Sequence, residues 1–223
     1  MFQSGTLQFL KNLKKNNNKP WFDANRPKYE AAKADFLQFI QKVIDTHGKK
    51  DAAIRNLVAK DCMFRINRDV RFSKDKSPYK MHFGAAINKG GKQSVSSAGY
   101  YFHLEPGQTF TGGGIWMPQP EDLKKVRQEI DYNFDDFKKL LAAKKFKSVY
   151  GDLSHEAEYK LTRLPKGYEA DNPAAEYLKL KSFIASIQIK DALLTDKDLL
   201  KTTVNAFEAL QPIVEFINQS MHD

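Results

Sequence analysis

The densest chemistry in the chain lies in residues 65–80, which hold six basic and two acidic residues. Arginine forks bind planar oxyanions through paired hydrogen bonds, and lysines add point charge. The segment therefore predicts a cationic pocket for a small molecule that carries a phosphate or a carboxylate. The candidate ligand-binding residues are Arg65, Arg68, Asp69, Arg71, Lys76 and Tyr79.

A purely structural role for these residues is the competing interpretation. Residues 62–72 alternate between apolar and polar types, which predicts a β-strand, and Arg68 falls on its apolar side. An unpaired buried guanidinium costs several kcal/mol, so Arg68 must pair, reach solvent or sit at a bulge. It either enters the pocket or pairs with a helix carboxylate such as Glu30 or Asp35. Asp69 lies among arginines, which lower the pKa of a carboxyl group and make it an organiser of guanidinium groups. An internal Arg/Asp ion-pair network thus stays open beside the pocket.

Candidates for proton transfer or metal binding are sparse. His82 and Tyr79 are weak candidates for a proton donor beside a bound anion. His103 and Glu105 share one face of a predicted strand, but two ligands are too few for a metal ion, and the spacing dictates no third. We therefore predict no metal and no cofactor, and leave open whether the protein is an enzyme.

The net charge of +9 supports a second functional hypothesis, nucleic-acid binding through the basic surface. Aromatic residues such as Tyr79, Phe83 and Tyr101 interleave with basic ones and could stack on bases. Aromatic residues in an antiparallel sheet more often pack under helices, and scattered lysines more often keep a surface soluble. Both functional hypotheses stay open at this point.

Composition and the chain start favour a cytoplasmic protein. Cys62 is the single cysteine, which excludes an internal disulfide and fits a reducing compartment. The first residues lack the pattern of a signal peptide, and no apolar run approaches the roughly 20 residues of a membrane span. We expect no membrane partner, and the sequence leaves the oligomeric state open.

Helical periodicity at both ends and alternation in the middle predict an α+β fold. We expect one domain over residues 1–223, with a mainly antiparallel sheet of four to five strands flanked by N- and C-terminal helices. Glu105-Pro106-Gly107-Gln108 predicts a tight turn. Predicted strands cover 62–72, 81–88, 98–105, 108–117 and 182–189.

Three consecutive glycines, Gly112, Gly113 and Gly114, lie inside one of these strands. Glycine weakens a strand, so the run needs a reason. Close packing of neighbouring groups is one explanation, and an anion site floored by backbone N–H groups is the other.

The central segment resembles the signature of a bacterial and fungal family catalogued as domain of unknown function 2461. The residues that carry the resemblance read Arg65-x-x-Arg68-Asp69-x-Arg71-Phe72-x-x-Asp75-Lys76-x-x-Tyr79, with Trp21-Phe22-x-x-Asn25-Arg26-x-x-Tyr29 and Gly112-Gly113-Gly114-x-Trp116-x-Pro118 around it. The resemblance implies a shared fold and a shared site, and it supplies no reaction.

Overall fold

A computed structural model of the chain describes residues 1–94 and 96–222. Helices form both ends of the described chain and strands form its middle, as the α+β prediction required. The α-helices are α1 (Ser4–Lys15), α2 (Lys19–Ala24), α3 (Arg26–His47), α4 (Ala59–Cys62), α5 (Pro120–Tyr132), α6 (Phe134–Ala142), α7 (Lys144–Val149), α8 (Ala175–Leu178), α9 (Asp191–Leu194) and α10 (Asp198–His222). Short 3₁₀ turns cover Gly91–Gln93 and Ala157–Tyr159.

One antiparallel sheet has the strand order β1-β2-β3-β4. Its strands are β1 (Phe83–Asn88), β2 (Gly99–Leu104), β3 (Phe110–Ile115) and β4 (Phe183–Gln188). These four confirm four of the five predicted strands, and no end differs from the prediction by more than two residues. The predicted strand over 62–72 is wrong. That segment makes isolated antiparallel bridges at Met63 with Ala85 and at Asn67 with Tyr79.

The chain divides into two compact units. The first unit comprises residues 1–92, 101–111 and 188–204, and the second comprises 93–100, 112–187 and 205–223. The prediction of one domain stays a prediction.

An aromatic core holds the first unit together. The ring of Phe36 on α3 lies 5.4 Å from Phe83 of β1 and 6.3 Å from Phe102 of β2. Phe2 packs 4.7 Å from Phe39, which brings the chain start onto the same helix. These rings are fully buried, so α3 is held against the first two strands.

The second unit has its own core, on α6 and the second part of α10. Phe137 meets Tyr177 edge-on at 5.4 Å and lies 5.3 Å from Phe216. Tyr100 stacks on Phe207 at 4.6 Å.

The glycine run of β3 also lies in the second unit. A Cβ atom at Gly112 would come 2.0 Å from the Ala185 carbonyl oxygen, and one at Gly113 would come 2.1 Å from that of Gly99. The run therefore has a packing explanation, because neighbouring backbone occupies the space of any side chain.

Within residues 1–94 and 96–222, no helix is both long enough and apolar enough to cross a membrane.

Candidate metal centre

A hollow of about 510 Å³ opens in the first unit beside the end of β2. Its volume falls in the range of about 300–1,000 Å³ that is usual for small-molecule sites. Its lining residues are His82, His103, Glu105, Gly107, Gln108, Phe110 and Gln188.

Three potential metal ligands meet in the wall of this hollow. His103 lies on β2 and Glu105 directly follows it, and their spacing of two puts both side chains on one face of the sheet. His82 directly precedes β1, the neighbouring strand, and its ring centroid lies 4.2 Å from that of His103. One ligand atom from each of the three lies within 4.8 Å of the others. The structure thus supplies the third ligand that sequence spacing did not.

The separations suit a small divalent ion. Two atoms that are each about 2.1 Å from zinc lie about 3.4 Å apart at the tetrahedral angle. His103 Nε2 and Glu105 Oε2 are 3.4 Å apart. No separation in the cluster exceeds 4.8 Å, so the ligand atoms have to close by at most about 1.4 Å to reach the tetrahedral value, a movement within the reach of side-chain rotation.

Both imidazoles are held in the form that binds metals. Burial, and after it the charge of the neighbouring His103, lower the pKa of His82 to about 4. Burial also lowers the pKa of His103, although Glu105 opposes that effect. A metal ion needs a neutral imidazole, so neither ring has to lose a proton at neutral pH.

Neighbouring side chains fix the His103 ring. The ring stacks on Phe110 with centroids 4.7 Å apart and an interplanar angle of 15°. Its Nδ1 atom lies 3.3 Å from the Tyr101 hydroxyl, which leaves Nε2 on the Glu105 side. Burial raises the pKa of Tyr101 to about 12, so this hydroxyl keeps its proton. Outer partners of this kind fix the orientation of a metal-binding histidine.

Hydrogen bonds to both the side chain and the backbone of Glu105 fix its position. Lys14 on α1 donates to Oε1 at 3.2 Å, while Oε2 faces His103. The Glu105 backbone accepts from the Gln108 N–H at 2.8 Å, and its own N–H donates to the Thr109 hydroxyl at 3.2 Å. Gly107 has φ 87°, so the predicted turn at 105–108 is confirmed.

The other predicted site residues lie in residues 65–80, which we call the basic loop. Arg68 bonds Asp75 at 2.5 Å and the Ser77 carbonyl at 3.0 Å. The prediction that Arg68 pairs with Glu30 or Asp35 is therefore wrong.

The second arginine pair of the loop is formed by Arg71, which donates to both oxygens of Asp69, at 3.0 and 2.7 Å. Two different carboxylates thus hold the two arginines in separate pairs, and three of the four side chains are exposed, so an internal ion-pair network stays a prediction.

These pairs also set the titration of the two aspartates. Hydrogen bonds from Arg71 lower the pKa of Asp69, as the sequence predicted. Hydrogen bonds from Ser77, and then from Arg68, lower the pKa of Asp75 to about 2. Both side chains are therefore charged at neutral pH and serve as acceptors rather than bases.

The remaining predicted residues are spread out. Lys76 donates to the Val70 carbonyl at 3.0 Å, and Arg65 is exposed. Tyr79 is buried and stacks on Phe22, with ring centroids 4.0 Å apart. The role of these residues in anion binding stays a prediction.

A family model described as a conserved hypothetical protein (DUF2461) matches residues 5–216, which confirms the resemblance seen in the sequence. No curated protein and no solved structure matches the chain.

Proposed function

We propose that this chain, which belongs to the DUF2461 family, binds one divalent transition-metal ion through His82, His103 and Glu105. The observation that carries the proposal is the meeting of three ligand atoms within 4.8 Å in the wall of a hollow. Both imidazoles are neutral, and an ordered partner holds each of His103 and Glu105.

The donor set selects among metals. Two imidazole nitrogens and one carboxylate oxygen suit zinc and its transition-metal neighbours, whereas magnesium and calcium prefer oxygen ligands alone. Three protein ligands also leave a coordination position for water or substrate, which is typical of catalytic rather than structural zinc sites.

The reaction class that fits this arrangement is hydrolysis of a small anionic molecule. When bound, the metal ion would polarise a substrate oxygen and lower the pKa of a bound water to near 7. Lys14 contacts Glu105, and the positive charge of Lys80 acts on His82, so two cations border the metal ligands. Gln108 and Gln188 line the hollow with amide groups that can orient a phosphate or a carboxylate.

Titration of the metal-stripped protein with zinc tests the metal site. We expect one ion per chain by calorimetry and a rise in melting temperature. Zinc at about a hundred times its dissociation constant adds about 2.7 kcal/mol of stability. Magnesium at the same concentration serves as the control and should leave the melting temperature unchanged. Zinc binding that is absent, or no tighter than magnesium binding, would contradict the proposal.

Substitution of Gly84 by alanine should weaken zinc binding without touching a ligand. A Cβ atom at Gly84 would lie 2.5 Å from the Tyr101 hydroxyl oxygen and 3.2 Å from its Cζ atom. The hydroxyl would have to leave its place beside His103 Nδ1. We expect zinc affinity to fall about 10- to 100-fold, the usual effect of losing an outer partner of a metal ligand.

Tyr101→Phe is the matched variant for Gly84→Ala. It removes the same hydroxyl and leaves the glycine, so both variants should lose zinc affinity to a similar extent in calorimetry. Wild-type affinity in both would show that Tyr101 does not position His103.

A further inference from the structure

Phe72 is the most exposed large apolar side chain in the described part of the chain, with 95% of its surface open to solvent. It lies in the middle of the basic loop, between Arg71 and Ser73. The Arg71 guanidinium carbon is 5.8 Å from the centre of its ring. A single exposed ring is ordinary on a protein surface, so its meaning depends on the charges of the loop that carries it.

The basic loop is anchored at its base. The Arg68 N–H donates to the Pro78 carbonyl at 2.9 Å, and the Lys80 N–H donates to the Ile66 carbonyl at 2.8 Å. Within the loop, Lys76 reaches the Val70 carbonyl, and the two Arg–Asp pairs tie further residues together. The ring of Phe72 is thus presented by a loop with its own internal bonds.

The basic loop, which carries Phe72, has six basic and two acidic residues, so the acidic residues neutralise only part of its positive charge. Asp69 and Asp75 are each paired with one arginine. Among the described residues, no carboxylate forms an ion pair with the other four cations of the loop, which are Arg65, Lys74, Lys76 and Lys80. An accessible ring in a loop that carries cations without a carboxylate partner is the pattern of a single-strand binding surface, where bases stack on aromatic rings and cations contact phosphates.

We propose that the basic loop binds single-stranded nucleic acid, with an unpaired base stacked on Phe72 and the backbone phosphates held by the exposed cations Arg65, Lys74 and Lys76. A duplex hides the faces of its bases, so the ring favours a single strand. This inference is independent of the metal site, and metal-stripped protein should bind the strand equally well.

An anionic bilayer fits the loop less well. Membrane binding through a surface segment scales with the apolar area that it buries, and the loop offers one exposed aromatic ring. Val70, the apolar residue next to Phe72 along the chain on its N-terminal side, is half-buried.

Fluorescence anisotropy with a labelled single strand of about 12 nucleotides tests the proposal. Phe72→Ala should weaken binding roughly 5- to 150-fold, the loss expected for one base stack. Tyr132→Ala is the matched control, because Tyr132 is 73% exposed but lies outside the basic loop. Equal binding by wild type and Phe72→Ala would overturn the proposal.

The charge contribution has its own matched pair of variants. Lys74→Ala with Lys76→Ala should reduce the slope of log affinity against log salt by about 1.4, because each lost phosphate contact reduces it by about 0.7. Lys138→Ala with Lys139→Ala removes the same charge from exposed positions on α6 and should leave the slope unchanged. Equal slopes for both pairs would contradict the assigned contacts.

Binding to duplex as tight as to single strand, or Phe72-dependent binding only to phosphatidylserine vesicles, would overturn the proposed partner.

Discussion

Replacing His103 by phenylalanine should abolish zinc binding in the micromolar range and leave the fold intact. Phenylalanine keeps a flat ring against Phe110, so the packing at 4.7 Å is preserved while the nitrogen ligand is lost. Loss of an outer partner alone costs about 10- to 100-fold in metal affinity, so we expect loss of a ligand to cost more than about 100-fold. Calorimetric titration with zinc measures the effect.

His155→Phe is the control for this substitution. His155 also lies beside a carboxylate and a tyrosine, with Nε2 3.7 Å from Asp152 and the ring 5.5 Å from that of Tyr177. It belongs to the second unit and lies outside the cluster of three ligands. Equal zinc affinity in the two variants, or retained affinity in His103→Phe, would show that the cluster does not bind the ion.

Replacing Gly112 by alanine should destabilise the protein severely. The new Cβ atom would lie 2.0 Å from the Ala185 carbonyl oxygen and 2.7 Å from the Ser186 Cα, and both belong to the backbone of β4. Backbone cannot turn aside as a flexible side chain can, so the strand pair must open. We expect a loss of at least about 3 kcal/mol, the upper end of ordinary overpacking costs.

Thermal unfolding measures this loss, which corresponds to about 6–12 °C for a chain of this size. Gly5→Ala is the matched control, because no atom lies within 4 Å of a Cβ built at Gly5 on α1. It should leave stability unchanged or raise it by up to about 1 kcal/mol, since alanine favours helix over glycine. A Gly112→Ala variant as stable as Gly5→Ala would refute the packing explanation of the glycine run.

The sheet was predictable because its strands have local signals. Alternation along residues 98–105 predicted β2, and the turn with proline second and glycine third placed the start of β3 directly after it. The turn hydrogen bond from Gln108 to Glu105 forms as its sequence requires. Local chemistry decides such features, so the sequence is sufficient for them.

The same alternation was misleading in residues 62–72. Cys62 and Ile66 are buried as the pattern required, but Phe64 is 36% exposed and Phe72 is 95% exposed. The Arg68 backbone N–H donates to the Pro78 carbonyl, and Asp75 and Asp69 bind the guanidinium groups of Arg68 and Arg71. Period-two alternation predicts a strand only where a partner covers one face, and none covers Phe72.

The candidate metal site was only half visible in the sequence. His103 and Glu105 are two residues apart, and strand geometry alone puts them on one face. His82 lies 21 positions before His103, and only the pairing of β1 with β2 brings it to them. The signal that was available is its position at the start of the strand predicted over residues 81–88, which is next along the chain to the strand that holds His103.

The most direct test of the metal site is anomalous diffraction at the zinc edge from crystals grown with zinc. We expect one strong peak per chain, within about 2.1 Å of His82, His103 and Glu105 ligand atoms. A peak elsewhere on the chain, or no peak at a concentration that saturates binding in solution, would contradict the proposed function.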